Sequence, residues 1–207
     1  VTPAELEHIF MNISWRELLR PAWRESLGLF NTAPMEAYIG KIVGNRQIED
    51  LPVKFAAVAC DILTGQPVIL NNGSLASAMR ASAAVPGIFT PVQSNGHLLV
   101  DGGLVDNLPS ELAREMGGKY VIGVDVSNHD VRNYRPTNTI DILLATMVVM
   151  QHRSAFPEPE DLDCYIRPEI DQYSSWKMEN IRELIDAGKE AARKALSQLK
   201  VDLKLTV

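Results

Sequence analysis

The chain has little cysteine and no surplus of basic residues. Its two cysteines, Cys60 and Cys164, lie far apart among 207 residues without a C-x-x-C spacing. This pattern predicts two reduced, packed thiols rather than a disulfide framework or a zinc site, and nothing else in the sequence indicates a metal ion or a cofactor. The net charge of −6 and the pI near 5.3 argue against a nucleic-acid partner, because neutralising phosphates requires many Lys and Arg residues on one face.

Long apolar runs and secretory patterns are also missing. The longest apolar candidate, Ile140 to Met150, starts beside Asp141 and is shorter than the ~18 to 20 residues that span a bilayer. The N-terminus has no signal-peptide pattern and opens with a helix start, so we expect the chain to begin inside a domain. A hydrophobic content of 46% with 22% charged residues is typical of a soluble globular protein. We therefore expect a cytoplasmic protein with at most a peripheral membrane contact.

The first fifty residues carry helix signals. Thr2 and Ser14 each open a capping box, and Pro21 stops the second helix. A third helix is predicted from Pro34 to Val43, with Gly44 as its stop. Residues 1–50 are therefore predicted to be a helical excursion rather than part of a sheet.

From Val53 onward the pattern changes to short apolar strands separated by turns. V-K-F-A-A-V-A-C and Y-V-I-G-V-D-V are typical of buried strands, and the second implies a parallel sheet because a helix precedes it. Asn95-Gly96 predicts a tight hairpin, and Ser74 caps a helix of small residues. A long helix over 178–199 ends the chain. We predict one α/β domain over 1–207, with the sheet core and final helix in 51–207.

The most informative stretch is L-L-V-D-G-G-L-V-D-N-L-P. Asp101 ends an apolar strand and meets Gly102 and Gly103, which permit positive φ and a close approach of the backbone. Such a turn can present a carboxylate at a strand end, where ligands of α/β proteins gather. Asp-Gly-Gly is also an ordinary turn, so the motif alone does not indicate catalysis.

A second block upstream of this turn gives the turn its context. The pair of blocks resembles the patatin-like phospholipase family in its bacterial form, which shows A-S-x-x-x-P with a following F-x-P and then D-G-G or D-G-A. The matching positions are Ala81, Ser82, Pro86, Phe89, Pro91 and Asp101 to Gly103. The resemblance covers roughly Leu51 to Ala195, and its tail includes I-R-P-E-I and Trp176.

The resemblance implies a three-layer α/β/α sandwich with a mainly parallel central sheet. It also implies a serine–aspartate dyad in which Asp101 is the general base, while Ser82 and Pro86 accompany the site without supplying the nucleophile. The implied activity is hydrolysis of lipid acyl esters, of the phospholipase A or lysophospholipase type, with a phospholipid or another lipid ester as substrate.

The other half of that site is not found in the sequence. No G-x-S-x-G and no glycine-rich oxyanion loop occurs in the 207 residues. We expect the first strands, the loop and the nucleophile to lie in an N-terminal segment absent from this chain, which alone would be inactive. The alternative is a catalytically inactive patatin-like protein with a regulatory or binding role. A nucleotide-binding α/β domain lacks support, because the chain has no phosphate loop.

Four further features have two interpretations each. His97 is expected to have a hairpin role rather than a catalytic one, and Asp125 to anchor a loop rather than act as a second acid. Asp106-Asn107 is expected to tie the turn after Asp101 and to cap the next helix. The segment 14–30 alternates aromatic and leucine residues with arginines, which suits either a membrane interface or a cover packed over the domain.

Overall fold

The computed structural model describes residues 1–22, 27–127, 137–154, 162–173 and 180–205. The chain divides into two compact units, Val1–Asn107 and Leu108–Val207. The single-domain organisation expected from the sequence stays a prediction.

The first unit opens with the helices that the sequence predicts. They are α1 (Pro3–Asn12), α2 (Trp15–Leu18) and α3 (Ala33–Val43). The Thr2 side chain accepts a hydrogen bond from the Glu5 N–H while the Glu5 carboxylate bonds back to the Thr2 N–H, which is the predicted capping box. Gly44 ends α3 in the left-handed conformation, with φ of 75°.

The expectation that the first fifty residues contain helices without a sheet is wrong. Strands β1 (Arg20–Pro21) and β2 (Gly28–Asn31) pair antiparallel, and β2 pairs parallel with β5 (Gly87–Phe89). A Cβ at Gly28 would lie 2.5 Å from the Phe89 carbonyl carbon, so this close pairing requires glycine. Four residues are too short a stretch to produce a readable strand pattern.

A four-stranded sheet forms the centre of the first unit. It contains β3 (Ala57–Asp61), β4 (Gln66–Leu70), β6 (Val92–Ser94) and β7 (His97–Asp101) in the order β4-β3-β7-β6. The predicted Asn95-Gly96 turn joins β6 to β7 with φ of 49° and 84°, as a two-residue hairpin requires. Helix α4 (Leu75–Ser82), capped by Ser74 as predicted, covers one face of this sheet. The core between them consists of Ala59, Ala81, Val92 and Leu99.

In its described residues, the second unit contains three helices and one parallel strand pair. Its elements are α5 (Ser110–Glu115), β8 (Ile122–Val124), α6 (Thr139–Ser154), β9 (Cys164–Ile166) and α7 (Ile181–Asp202). The parallel pairing expected for Y-V-I-G-V-D-V is confirmed, because β8 pairs parallel with β9. Among the described residues, no helix is long and apolar enough to cross a bilayer.

Strand pairing in the described residues is mixed. The pairs β2–β5 and β8–β9 are parallel, whereas β1–β2, β3–β4, β3–β7 and β6–β7 are antiparallel. Strands joined by short turns, such as β3–β4 and β6–β7, can pair only antiparallel. Asp101 thus stands at the end of an inner antiparallel strand, which lies between β3 and β6.

Candidate active site

Asp101 is the last residue of β7 and is held there by its backbone. Its N–H donates to the Ala84 carbonyl at 3.0 Å, which connects the strand end to the chain leaving α4. The 3-10 turn Gly102–Leu104 follows, and within it the Gly103 N–H donates to Asp101 Oδ1 at 2.8 Å. One carboxylate oxygen is therefore oriented by the glycine turn that the sequence predicts at this point.

The second carboxylate oxygen is available. Asp101 Oδ2 makes no hydrogen bond with any residue in the described part of the chain. Alternation along β7 puts Asp101 on the same face as Leu99, which is the face that α4 covers. Burial raises the pKa of the Asp101 carboxyl, while the Gly103 hydrogen bond opposes that shift. A partly buried carboxylate with one free oxygen and increased proton affinity can act as a general base.

Gly102 serves one of the two purposes expected from the sequence, the close approach of two backbones, and not the other. Neither Gly102 nor Gly103 takes a positive φ, so the expected use of their left-handed freedom is wrong. A Cβ built on Gly102 would overlap the Val58 carbonyl oxygen and lie 2.6 Å from the Val58 carbonyl carbon. The turn after Asp101 therefore presses against β3, and only glycine fits there.

Ser82 and Pro86 flank the segment that supports Asp101. Ser82 is the last residue of α4, and Pro86 lies in the turn that leads into β5. Between them, Ala84 is fully buried and supplies the carbonyl that accepts from the Asp101 N–H. Ser82 makes no hydrogen bond with Asp101, in line with a supporting role for the A-S-x-x-x-P block.

His97 lies at the other end of β7 and contacts a different acid. Its Nδ1 is 3.0 Å from Asp61 Oδ2, and Asp61 ends β3 beside the start of β7. Asp101 is four positions after His97 along the strand, about 13 Å away at the usual rise per residue. His97 and Asp101 therefore do not form a catalytic pair, and the predicted hairpin role of His97 is confirmed.

The other acids identified in the sequence serve loops and turns. Asp125, only 2% exposed, accepts from the Ser127 N–H at 2.9 Å and from the Tyr165 hydroxyl at 2.6 Å, so its loop-anchoring role is confirmed. The Asp106 N–H donates to the Gly102 carbonyl and closes the turn after Asp101. The expectation that Asp106-Asn107 caps the next helix is wrong, because Pro109 occupies that position and makes no side-chain cap bond.

The segment 14–30 divides between packed and exposed side chains. The Trp15 and Phe89 ring centroids are 6.5 Å apart, and Leu18 is buried, so these two residues pack inward as the cover interpretation predicts. In contrast, Leu27 and Leu29 are 63% and 46% exposed. Trp23, like Trp176, lies outside the described residues.

One ion pair near the site is not indicated by any sequence motif. The Arg80 guanidinium on α4 donates to Thr32 Oγ1 at 2.9 Å and to Glu36 Oε2 at 2.7 Å, which fixes α4 to the start of α3. These residues are more than forty positions apart in the sequence, and no local motif links them. Among the described residues, no cluster of His, Cys, Asp and Glu could hold a metal ion.

Comparison with known proteins gives consistent matches. A sequence model described as patatin-like phospholipase matches residues 2–114, more than half of the chain. Patatin-like phospholipase domain-containing protein 7 of Mus musculus is 31% identical over 194 residues, which cover 80% of this chain and 14% of that protein. Patatin-like phospholipase domain-containing protein 6 of Homo sapiens is 36% identical over 104 residues, or 49% of this chain and 8% of that protein. An uncharacterized NTE family protein of Mycobacterium bovis is 32% identical over 145 residues, which cover 67% of this chain and 40% of that protein.

These matches settle the fold class and extend the region of similarity. A patatin-like domain has an α/β fold, and the helices and sheets agree with it, so the predicted α/β class is confirmed. The described strands pair in a mixed rather than a mainly parallel way, because short hairpins join the strands of the four-stranded sheet. The similarity begins at residue 2, whereas the motifs in the sequence traced it only from Leu51. The chain spans 14% of the mouse relative and 40% of the mycobacterial one, so it corresponds to a small part of each.

Proposed function

The chain belongs to the patatin-like phospholipase family, and from that membership we propose that it supplies the catalytic aspartate of a lipid acyl-ester hydrolase. Asp101 is the proposed general base, and a serine at a G-x-S-x-G turn outside these 207 residues is the proposed nucleophile. The observation that carries the proposal is the state of the Asp101 carboxylate. One oxygen is fixed by the Gly103 N–H, the other has no partner among the described residues, and burial raises the pKa of the group.

The proposed reaction follows from this arrangement. Asp101 Oδ2 takes the proton of the serine hydroxyl as the serine oxygen attacks the ester carbonyl carbon. The tetrahedral intermediate collapses, the alcohol leaves with a proton from Asp101, and the acyl group remains on the serine. Water then repeats the sequence with the serine as leaving group. A solvated carboxylate near its usual pKa is a weak base toward a serine. Burial raises the pKa of Asp101 and so makes it a stronger base.

The test uses the intact protein that contains this segment. We expect a fluorophosphonate probe to label one serine, and Asp101→Asn to lower turnover of a lysophospholipid about a thousandfold, within the range typical of general-base catalysis. Asp61→Asn is the matched control, since Asp61 ends the neighbouring strand at the far side of the same sheet, and it should keep its activity. Full activity in Asp101→Asn would overturn the proposal.

The same experiment distinguishes the hydrolase from a second candidate function. That candidate is a catalytically inactive patatin-like protein with a regulatory or binding role. The chain offers Asp101 but no G-x-S-x-G, so the second candidate depends on whether the intact protein contains that motif. An intact protein without labelling and without turnover would favour it. The chain of 207 residues alone is expected to be inactive in either case.

We also propose a cytoplasmic location with a peripheral membrane contact through 14–30. Two free, buried thiols support a reducing compartment. The register of β1 with β2 pairs Arg20 with Asn31 and so puts Arg20 and Leu29 on one face, where both are exposed. Leu27 is exposed just before the strand, and Arg20 makes no ion pair with a described residue. Exposed leucines beside an exposed arginine suit a surface of anionic lipids.

Flotation with vesicles of phosphatidylcholine and phosphatidylserine tests the contact. We expect the double variant Leu27→Ser/Leu29→Ser to float less than the parent protein. Val53→Ser is the matched control, because Val53 is 75% exposed but lies outside this segment. Trp15 is unsuitable for this test, since its ring packs against Phe89 and its removal would disturb the fold. Equal flotation of the double variant and the parent would exclude the contact.

A further inference from the structure

Ala59 on β3 is the residue directly opposite Asp101 in the sheet. The two residues pair in the antiparallel β3–β7 ladder. In that ladder the Ile62 N–H donates to the Leu98 carbonyl at 3.0 Å. Bonded and non-bonded pairs alternate, so the Ala59–Asp101 pair, three steps further along, is non-bonded. The Asp101 N–H agrees with this, because it donates to the Ala84 carbonyl instead of to β3. The two side chains of a non-bonded pair share a face, with Cα atoms about 4.5 Å apart, the closest approach in a ladder.

The methyl group of Ala59 closes the β3 side of Asp101. Ala59 is fully buried, in a core cluster with Ala81 of α4. On its other side it pairs with Val68 of β4, which packs against the same cluster. This wall shields the carboxylate from water, and an alanine side chain offers it no hydrogen-bond donor. Among the described residues, the donor that the carboxylate does have is the Gly103 N–H.

Charged side chains are few on the elements around Asp101. In the part of the chain that the structure describes, they are Asp61 on β3, His97 on β7, Arg80 on α4 and Asp106 in the glycine turn. Asp61 is bonded to His97 at the other end of the sheet, and Arg80 is bonded to Glu36 on α3. Burial is accordingly the largest cause of the raised pKa of Asp101. The residues that exclude water from this carboxylate therefore determine how strong a base it is.

We propose that Ala59 is a positioning residue of the Asp101 site, whose methyl group keeps water and hydrogen-bond donors away from one side of the base. The carboxylate then has one oxygen fixed by Gly103 and the other open to the hydroxyl group that it deprotonates. That group is the serine in acylation and the water in deacylation. A donor at position 59 would stabilise the charged carboxylate and so weaken the base. The inference rests on the proposed function, since it needs Asp101 to be the base.

The activity test compares Ala59→Ser with Ala59→Cys in the intact protein, with hydrolysis of a chromogenic p-nitrophenyl ester as the readout. The two new side chains have nearly the same shape, but the serine hydroxyl is a strong donor and the cysteine thiol a weak one. The acid limb of the kcat/KM profile against pH reports the pKa of the base in the free enzyme. We expect Ala59→Ser to move this limb to lower pH and to lower kcat about fivefold, because a hydrogen bond to the carboxylate weakens the base. Ala59→Cys should keep the limb of the parent protein.

Carbon NMR measures the same pKa without relying on activity. In the intact protein with isotope-labelled aspartate carboxyls, the Asp101 signal is the one that Asp101→Asn lacks. We expect its titration to move to lower pH in Ala59→Ser and to stay in place in Ala59→Cys. Ala78→Ser is the matched control, because it makes the same change at another buried alanine of the first unit, in the core cluster with Ile48 and Leu75. Ala78→Ser should lower the melting temperature without moving the titration, which is all that a merely structural role of Ala59 would produce.

An unmoved Asp101 titration in Ala59→Ser, or equal shifts in the serine and cysteine variants, would overturn the inference. If Ala59→Ser does not fold, Ala59→Gly replaces it, since glycine removes the methyl shield without adding an atom. The titration should again move to lower pH, and an unmoved one would overturn the inference in the same way. Any of these results together with an inactive Asp101→Asn would leave the proposed function standing. A titration that moves while the acid limb of kcat/KM stays in place would instead show that Asp101 is not the base, and the proposed function would fall with the inference.

Discussion

The His97 imidazole Nδ1 lies 3.0 Å from Asp61 Oδ2, at the end of β7 opposite to Asp101. Asp61 also accepts hydrogen bonds from the N–H groups of Leu63 and Leu98, so one carboxylate joins the two hairpin turns of the sheet. These contacts, with the His97 bond first, lower the pKa of Asp61 to about 2. The two acids of this sheet thus have opposite shifts, because Asp61 has many donors and Asp101 has one.

Asp61 makes the stability of the first unit depend on pH in the acid range. Its folded pKa of about 2 is below its ordinary value of 3.8, so its contribution is present above pH 4 and is lost as the pH falls toward 2. We expect Asp61→Asn to melt below the parent at neutral pH and to lose less of its melting temperature between pH 4 and pH 2. Thermal unfolding followed by circular dichroism over this range is the measurement. Parallel curves for the two proteins would contradict the prediction.

Asp101 should behave in the opposite way. Because its folded pKa is raised, its contribution is fully present below the unfolded pKa and is lost as the pH rises through the folded pKa. Asp101→Asn keeps the hydrogen bond from Gly103 and removes the buried charge, so we expect it to melt above the parent at pH 7. The difference should vanish below pH 4, where the carboxyl is protonated. A lower melting temperature at pH 7 would show that the charge stabilises the fold.

Local signals made part of this molecule predictable from its sequence. The Ser74 cap, the Gly44 stop and the Asn95-Gly96 turn depend on neighbouring residues and backbone sterics. Asp101 is singled out by two short blocks that resemble a known family, and each block is contiguous in the sequence. The Asp61–His97 bond links residues 36 positions apart, and only the strand register brings them together.

Gly102 and Gly188 provide a matched pair of substitutions. A Cβ at Gly102 would overlap the Val58 carbonyl oxygen, so we expect Gly102→Ala to destabilise the chain by about 1–3 kcal/mol, the usual effect of overpacking. Gly188 lies within α7 with open space around it, so Gly188→Ala should stabilise by about 0.5–1 kcal/mol through helix propensity. Urea unfolding of both variants measures the difference. A neutral Gly102→Ala would mean that the turn can move away from β3.

Substitution of Arg80 tests whether the position of α4 depends on a side chain that donates two hydrogen bonds at once. Its guanidinium bonds to Thr32 and to Glu36 through two different nitrogens, and its side chain is only 16% exposed. A lysine has one ammonium group and cannot reproduce both bonds, so we expect Arg80→Lys to cost about 2 kcal/mol. Arg193→Lys is the control, because the Arg193–Glu190 pair is 3.6 Å long and exposed, and pairs of this kind contribute little.

The Arg80→Lys substitution should also affect the backbone hydrogen bond of Asp101. The chain leaving α4 supplies the Ala84 carbonyl that holds the Asp101 N–H, so a shift of α4 would alter the end of β7. Amide hydrogen exchange at Asp101 reports on that bond directly, and we expect faster exchange in Arg80→Lys than in the Arg193→Lys control. Unchanged exchange alongside a lower stability would mean that Arg80 fixes α4 to α3 without influencing the candidate site. Faster exchange would instead show that the contacts of Arg80 on α4 help to hold the Asp101 N–H in its bond to Ala84.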